Sequence, residues 1–235
     1  VNIFYVDKDP AKAAIALHDR HIIKMISESC QLLSVWASRY TGPHDDETHQ
    51  FVETDLVPDK APDVPWTGLS HANHPAALWL NEGLGNVSWL VDHLRAMVNE
   101  YDYRYPGNPD KFERARVIVP AMKYWLSKFV ILNHTTPKAC VPDVYKRDPM
   151  DRENTMQAYR AYYLAEKING NNWTNRAQPD WVIAYKEVKK AVAATVDYSD
   201  LDMSFFTPKE PVRQPEPVAQ KQPVSAKVSA KDIFL

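Results

Sequence analysis

One long helical pattern, with a polar row running inside its apolar side, constrains this fold most. Asp9-Pro10 opens it as an N-cap followed by proline at the first helical position. The pattern then continues to about Tyr40 and is stopped by Thr41-Gly42-Pro43. In its middle (residues 19–34, DRHIIKMISESCQLLS), His21, Lys24, Glu28 and Gln31 recur at i, i+3, i+7 and i+10. At ~100° per residue those side chains share one narrow sector. Leu17, Met25, Leu32 and Val35 point the same way, and Ile22, Ile26, Leu33 and Trp36 make an apolar face beside it. Arg20, Ser27 and Ser34 form the wet edge. A base, an ammonium and a carboxylate within an apolar surface need partners or a task, because an unpaired buried charge is costly.

Such a helix needs others to cover it, and the rest of the chain supplies them. Asn73 or His74 caps a helix that Pro75 begins and that runs to about Tyr103, with Gly83 and Gly85 weakening its middle. A third helix is expected from Pro109 to Leu132, kinked or split by Pro120. A fourth spans about Arg152 to Lys167, and Pro179-Asp180-Trp181 opens a fifth that lasts to about Val196. The run NIFYV near the start is β-prone, and residues 42–70 form a long proline-containing connection. Prolines outnumber glycines 18 to six, which suits helices joined by proline-rich loops rather than a hairpin-rich sheet. The expected architecture is all-α: a single compact bundle of about five helices over residues 1–198, then a disordered tail over 199–235.

With 45% hydrophobic and 25% charged residues, the composition suits a globular domain. The net charge of −2 offers no support for non-specific nucleic-acid binding over the whole surface, although a local basic groove is compatible with it. Cys30 and Cys140 are far apart with no CxxC spacing, which fits a reducing compartment rather than a disulfide scaffold. No apolar run has the length of a membrane span and no signal peptide is visible, so the expectation is a cytoplasmic protein, in the host cytoplasm if viral, and a monomer. No P-loop, dinucleotide fingerprint or GxSxG is present, and no cofactor is expected.

Four constellations are able to carry chemistry. His21, Lys24 and Glu28 suit an acid–base pair or a desolvated lysine nucleophile, or alternatively a salt-bridged packing network. His71, Asn73 and His74 with Trp79 place polar groups at a helix start beside a long loop, a natural substrate or anion site, while capping accounts for one of them. His18/His21 and His71/His74 are two i, i+3 pairs that a tetrahedral metal site would use, although no cysteine or carboxylate cluster completes a familiar ligand set. Tyr101, Tyr103, Arg104 and Tyr105, then Tyr159, Arg160, Tyr162 and Tyr163, interleave basic and aromatic groups that either hold phosphates and bases or pack helices together.

The motifs NIFYVDKDPAKAA, HDRHIIKM followed by Glu28 and QLLS, HANHPAALW, EYDYRY, AYRAYY and PDW resemble an uncharacterised family of tailed phages and large DNA viruses. The resemblance covers about residues 2–181, and that family is distantly similar to the pyrimidine-dimer DNA glycosylases of the phage endonuclease V type. There a His and a Glu stand seven positions apart on the first long helix, the spacing of His21 and Glu28, with an acidic residue before the His as Asp19 stands here. A His opening the next helix corresponds to His74, and an aromatic C-terminal part to Tyr162-Tyr163 and Trp173.

The resemblance implies base excision, in which an amine attacks C1′ of a damaged nucleotide, an imine forms and a Glu assists strand cleavage. Glu28, His21 and Lys24 are then the expected catalytic group. Asp19, His71, Asn73, His74, Trp79, Arg104, Tyr145, Arg160 and Tyr163 are the expected substrate contacts, on double-stranded DNA. The sequence departs from the pattern at the nucleophile: the related enzymes use the α-amine of a processed terminal Thr, whereas Asn2 stands here. Lys24 is the only amine that spacing places near Glu28. Asp232, Ile233, Phe234 and Leu235 resemble the short C-terminal peptides with which phage replication and repair proteins grip a sliding clamp. Two other functions compete with repair: a non-catalytic phage accessory or DNA-binding protein with a structural polar core, and a metal-dependent hydrolase using His18, His21, His71 and His74.

Overall fold

Helix α4 (Leu84–Arg104) is the element on which the others are laid. Val87, Leu90, Val91, Leu94, Met97, Val98 and Tyr101 recur along it at helical spacing, and all are buried. Fully burying one such aliphatic side chain contributes about 1.5–3 kcal/mol. Against α4 pack α1 (Pro10–Ala16), α2 (Asp19–Thr41), α3 (Pro75–Leu80) and α5 (Glu113–Leu126). A 3-10 turn, Asp143–Tyr145, contacts α6 (Arg152–Tyr162), which runs on as a π turn, Tyr163–Lys167; α7 (Asp180–Thr195) follows. The computed structural model describes residues 2–41, 62–108, 110–146 and 152–195. The chain is all-α, with no strand among those residues.

Contacts divide the chain into residues 1–191 and 192–235, a few residues before the change of character that the sequence places at 198. The tail with its terminal Asp232-Ile233-Phe234-Leu235, and most of the proline-containing connection, lie outside the described residues.

The expected helix from Pro10 to Tyr40 is two helices. Leu17 turns to an extended conformation (φ −72°, ψ 139°). Tertiary bonds then replace the helical ones lost at the break. The Trp173 indole N–H donates to the Ala16 carbonyl at 3.0 Å, and Arg104 Nη2 to the Ile15 carbonyl at 3.0 Å. On the other side of the break, the His18 N–H donates to Tyr163 Oη at 2.9 Å and the Asp19 N–H to the Asn172 carbonyl at 2.9 Å. Local bonds remain, with the Leu17 N–H on the Ala14 carbonyl and the His21 N–H on His18, but the four tertiary partners lie more than 80 positions away and no nearby pattern announces them.

The second expected helix is also split, into α3 and α4. Asn86 spans the corner: its Nδ2 donates to the Trp79 carbonyl at 2.7 Å, and its Oδ1 accepts from the Thr135 N–H at 2.7 Å. Gly85 is required there, because a Cβ at that position would press on the backbone of Leu132 and lie 2.9 Å from Asn133 C. The third helix ends at Leu126, short of Leu132, and contains Pro120 without being split. Residues 2–6 are not a strand. Ile3, Phe4, Tyr5 and Val6 are buried, and side chains answer their backbone: Asn2 Oδ1 accepts from the Ile3 and Phe4 N–H groups, and Arg160 Nε donates to the Val6 carbonyl. Ser34 leaves the expected wet edge of α2, for it is buried, with Oγ 2.7 Å from the Cys30 carbonyl and accepting from the Thr67 N–H at 2.9 Å.

Candidate functional site

Glu28 sits on α2 with its side chain 12% exposed. Its Oε2 accepts from the Asn2 backbone N–H at 2.8 Å, and its Oε1 lies 3.3 Å from Lys24 Nζ, one turn earlier and 63% exposed. Asn2 in turn donates from Nδ2 to the Cys140 carbonyl at 3.0 Å, and the Cys140 N–H donates to the buried Tyr159 hydroxyl at 3.1 Å. His74 closes the same locality. It caps α3 by accepting from the Ala76 N–H at 3.2 Å, and Pro75 at the first helical position favours that start. Burial holds the His74 imidazole below the ordinary histidine range; His71 also lowers it, while the Glu28 charge acts in the opposite sense. The chain start bonds the carboxylate directly, His74 at the start of α3 feels its charge, and Cys140 is tied to the chain start through Asn2. His71 and Asn73 are exposed beside them, His71 in the left-handed region at φ 61°.

His21 shares the row with Glu28 in sequence but not its environment. It is buried, sandwiched between Phe4 at 4.3 Å and His18 at 4.0 Å, and Nδ1 lies 3.2 Å from Tyr163 Oη. Burial, then the neighbouring His18, Lys24 and Lys167, lower its pKa to about 3; burial lowers that of His18 to about 4. Both are neutral at physiological pH, so His21 is no cation for a phosphate. The four-histidine metal centre is not assembled either: His18 and His21 form a ring stack, and the described residues contain no group of three or more His, Cys, Asp or Glu placed to hold an ion.

Several expected substrate contacts are saturated inside the protein. Arg104 is 0% exposed; it donates from Nε to Glu100 at 2.8 Å, from Nη1 to Asp19 at 2.9 Å and from Nη2 to the Ile15 carbonyl. Arg176 completes the network with two bonds to Glu100, at 2.8 and 2.7 Å. Asp19 also accepts from the Thr174 N–H at 3.0 Å and hydroxyl at 2.7 Å. Desolvation works against the Asp19 carboxylate, but Thr174 and Arg104 outweigh it and hold its pKa below the usual range. Trp79 is buried, its indole N–H donating to Thr135 at 3.0 Å, and Tyr163 is buried with its hydroxyl on the His18–His21 pair. Trp79, Arg104 and Tyr163 belong to the core, and Asp19, 15% exposed, closes its edge with its carboxylate engaged by Arg104 and Thr174.

Arg160 pins the chain start through Val6 and Asp7 and lies 5.5 Å over the Trp181 ring, while Tyr145, half-buried, donates to Glu166 at 2.8 Å. Sequence reasoning missed Asn2, Cys140 and Tyr159 as members of the Glu28 locality. The one available signal was that the first motif of the resemblance begins at Asn2.

No protein-family model, curated protein or solved structure matches this chain.

Proposed function

We propose that the chain is a DNA-processing enzyme of the repair type, a glycosylase with AP-lyase-like chemistry on damaged or modified bases, centred on Glu28. The observation that supports this reading is a largely enclosed carboxylate with two nitrogens on it, Asn2 N at 2.8 Å and Lys24 Nζ at 3.3 Å. Imine chemistry needs that pair of groups. The amine lone pair forms the N–C1′ bond, and the C1′–base bond breaks with its electrons leaving on the base, which takes a proton from water. Glu28 accepts a proton from the attacking nitrogen and returns it to O4′ as the sugar ring opens to an iminium ion. Glu28, again a carboxylate, takes a proton from C2′, and the electrons of that C–H bond expel the 3′ phosphate as the leaving group.

Two amines compete for the attack. Lys24 is one, on the open rim. In a chain trimmed to Asn2, the α-amino group would occupy the Asn2 nitrogen position, which is where the resembled enzymes place theirs. Lys24 and exposed His71 are then the groups facing duplex DNA, while Arg160 holds the chain start and Asp19, Arg104 and Tyr163 hold the scaffold.

Borohydride trapping on ultraviolet-irradiated and abasic duplexes is the direct test. A covalent protein–DNA adduct is expected, abolished by Glu28→Gln with folding intact. Trapping by protein prepared from Asn2, set against Lys24→Ala, assigns the amine. Absence of any adduct ends the lyase reading. A non-catalytic DNA-binding or accessory protein with a structural polar core then takes its place, favoured by the full engagement of His18, His21, Asp19 and Arg104. The tail reading is independent of this outcome: a chain ending at residue 198 should keep any cleavage and lose affinity for a sliding clamp.

A further inference from the structure

We infer that Asn2 is a positioning residue for Glu28, an assignment that rests on Glu28 being the acid–base group and Lys24 the attacking amine. The Asn2 side chain is tied at both polar atoms. Oδ1 accepts from the Ile3 N–H at 2.8 Å and the Phe4 N–H at 3.2 Å, and Nδ2 donates to the Cys140 carbonyl at 3.0 Å. Short side-chain amides form such turns readily because the oxygen reaches the N–H two residues on. Here the turn holds Phe4 at φ 44°, a left-handed conformation that a bulky residue adopts only when its surroundings impose it. The Phe4 ring is thereby stacked on His21 of α2, and the far end of the tie is anchored by Tyr159 of α6 through the Cys140 N–H.

The backbone nitrogen of Asn2 has no freedom left once its own side chain is fixed in this way. It points at Glu28 Oε2 at 2.8 Å. The Glu28 carboxylate is held from two sides, Oε2 by the Asn2 N–H at 2.8 Å and Oε1 3.3 Å from the exposed Lys24 ammonium. Asn2 thus keeps Oε1 turned toward Lys24, the amine whose proton the carboxylate takes. Without the tie, Oε2 loses its backbone donor, and misplacement of a catalytic group by about 1 Å costs on the order of 10²-fold in rate.

The test uses the full chain carrying Asn2→Ala or Asn2→Ser, with an abasic-site duplex as substrate. Asn2→Ala is expected to lower kcat by about 10²-fold with KM nearly unchanged. Asn2→Ser is expected to fall between, because its hydroxyl still accepts from the Phe4 N–H, and it carries the test if the alanine variant loses its cooperative thermal transition. Exchange of the residue-2 amide proton, read by NMR, is expected to accelerate at least about tenfold in Asn2→Ala, the loss of a bond to a charged acceptor. Unchanged kcat, or an amide as protected as in the parent, overturns the assignment. If the parent protein cleaves no abasic or irradiated duplex, the functional reading fails. The positioning role falls with it, and the exchange measurement separates that failure from a missing tie: acceleration in Asn2→Ala shows that the Asn2–Glu28 bond holds the chain start, and unchanged protection refutes the tie as well.

Discussion

His18 and His21 show how one residue type changes meaning with its surroundings. Each would titrate near 6.5 in the unfolded chain, and burial lowers them to about 4 and about 3 in the fold. Below pH 6.5 the unfolded state therefore binds protons that the folded state refuses. Stability falls as the pH drops from about 6.5, and the loss continues until the folded imidazoles themselves titrate near pH 4 and 3. The pair accounts for a few kcal/mol, an order-of-magnitude figure because the two rings are coupled. Thermal unfolding followed from pH 7 to pH 4 should show this acid limb. His21→Phe keeps a ring between Phe4 and His18 but removes one titrating group, so its limb should be shallower. An equal slope in the variant would show that other groups cause it.

At the scale of elements, breaks and close approaches decide the arrangement more than helix propensity does. The π turn at Tyr163–Lys167 extends α6 and carries the Tyr163 hydroxyl that accepts from the His18 N–H at the start of α2. Tyr163→Phe leaves that donor buried without a partner and should cost about 1–3 kcal/mol in denaturant unfolding. Gly85 governs the other corner. Gly85→Ala forces a methyl into the 132–133 backbone and should destabilise by about 1–3 kcal/mol. A neutral result would mean that the 132–133 stretch moves away freely, which the Asn86–Thr135 bonds oppose.

Across the whole molecule, the Asp19–Arg104–Glu100–Arg176 network is the tie between separate parts of the chain. It joins the end of α1, the start of α2, the C-terminal turn of α4 and the 174–176 turn. Arg104→Met removes the central cation and leaves two acids in or near the core. Because Arg176 still serves Glu100 and Thr174 still serves Asp19, the cost should sit toward the lower end of about 3–5 kcal/mol. Calorimetry distinguishes this from a substrate role: a contact residue would leave the melting temperature in place. No helix of the described residues is long and apolar enough to cross a membrane.

The sequence by itself determined the helical class, the two proline-led starts at Pro10 and Pro75, and α6 and α7 nearly to their ends, because these depend on caps and periodicity within a few residues. It also singled out Glu28. What it left undecided is which neighbours each polar residue meets. His21 and Glu28 lie on one helical sector, yet one is stacked in the core and the other faces the Lys24 rim, a difference made by Phe4 and Asn2 arriving from the chain start. Trp79, Arg104 and Tyr163 read as contacts and are internal, and Asp19 is tied to Arg104 at their edge, since burial is a property of the packed chain and not of spacing. The break at Leu17 is stabilised by Trp173, Arg104 and Tyr163, all far along the chain. Only the tertiary structure brings them there, because a helix end is stable wherever its unpaired backbone groups find partners, local or not.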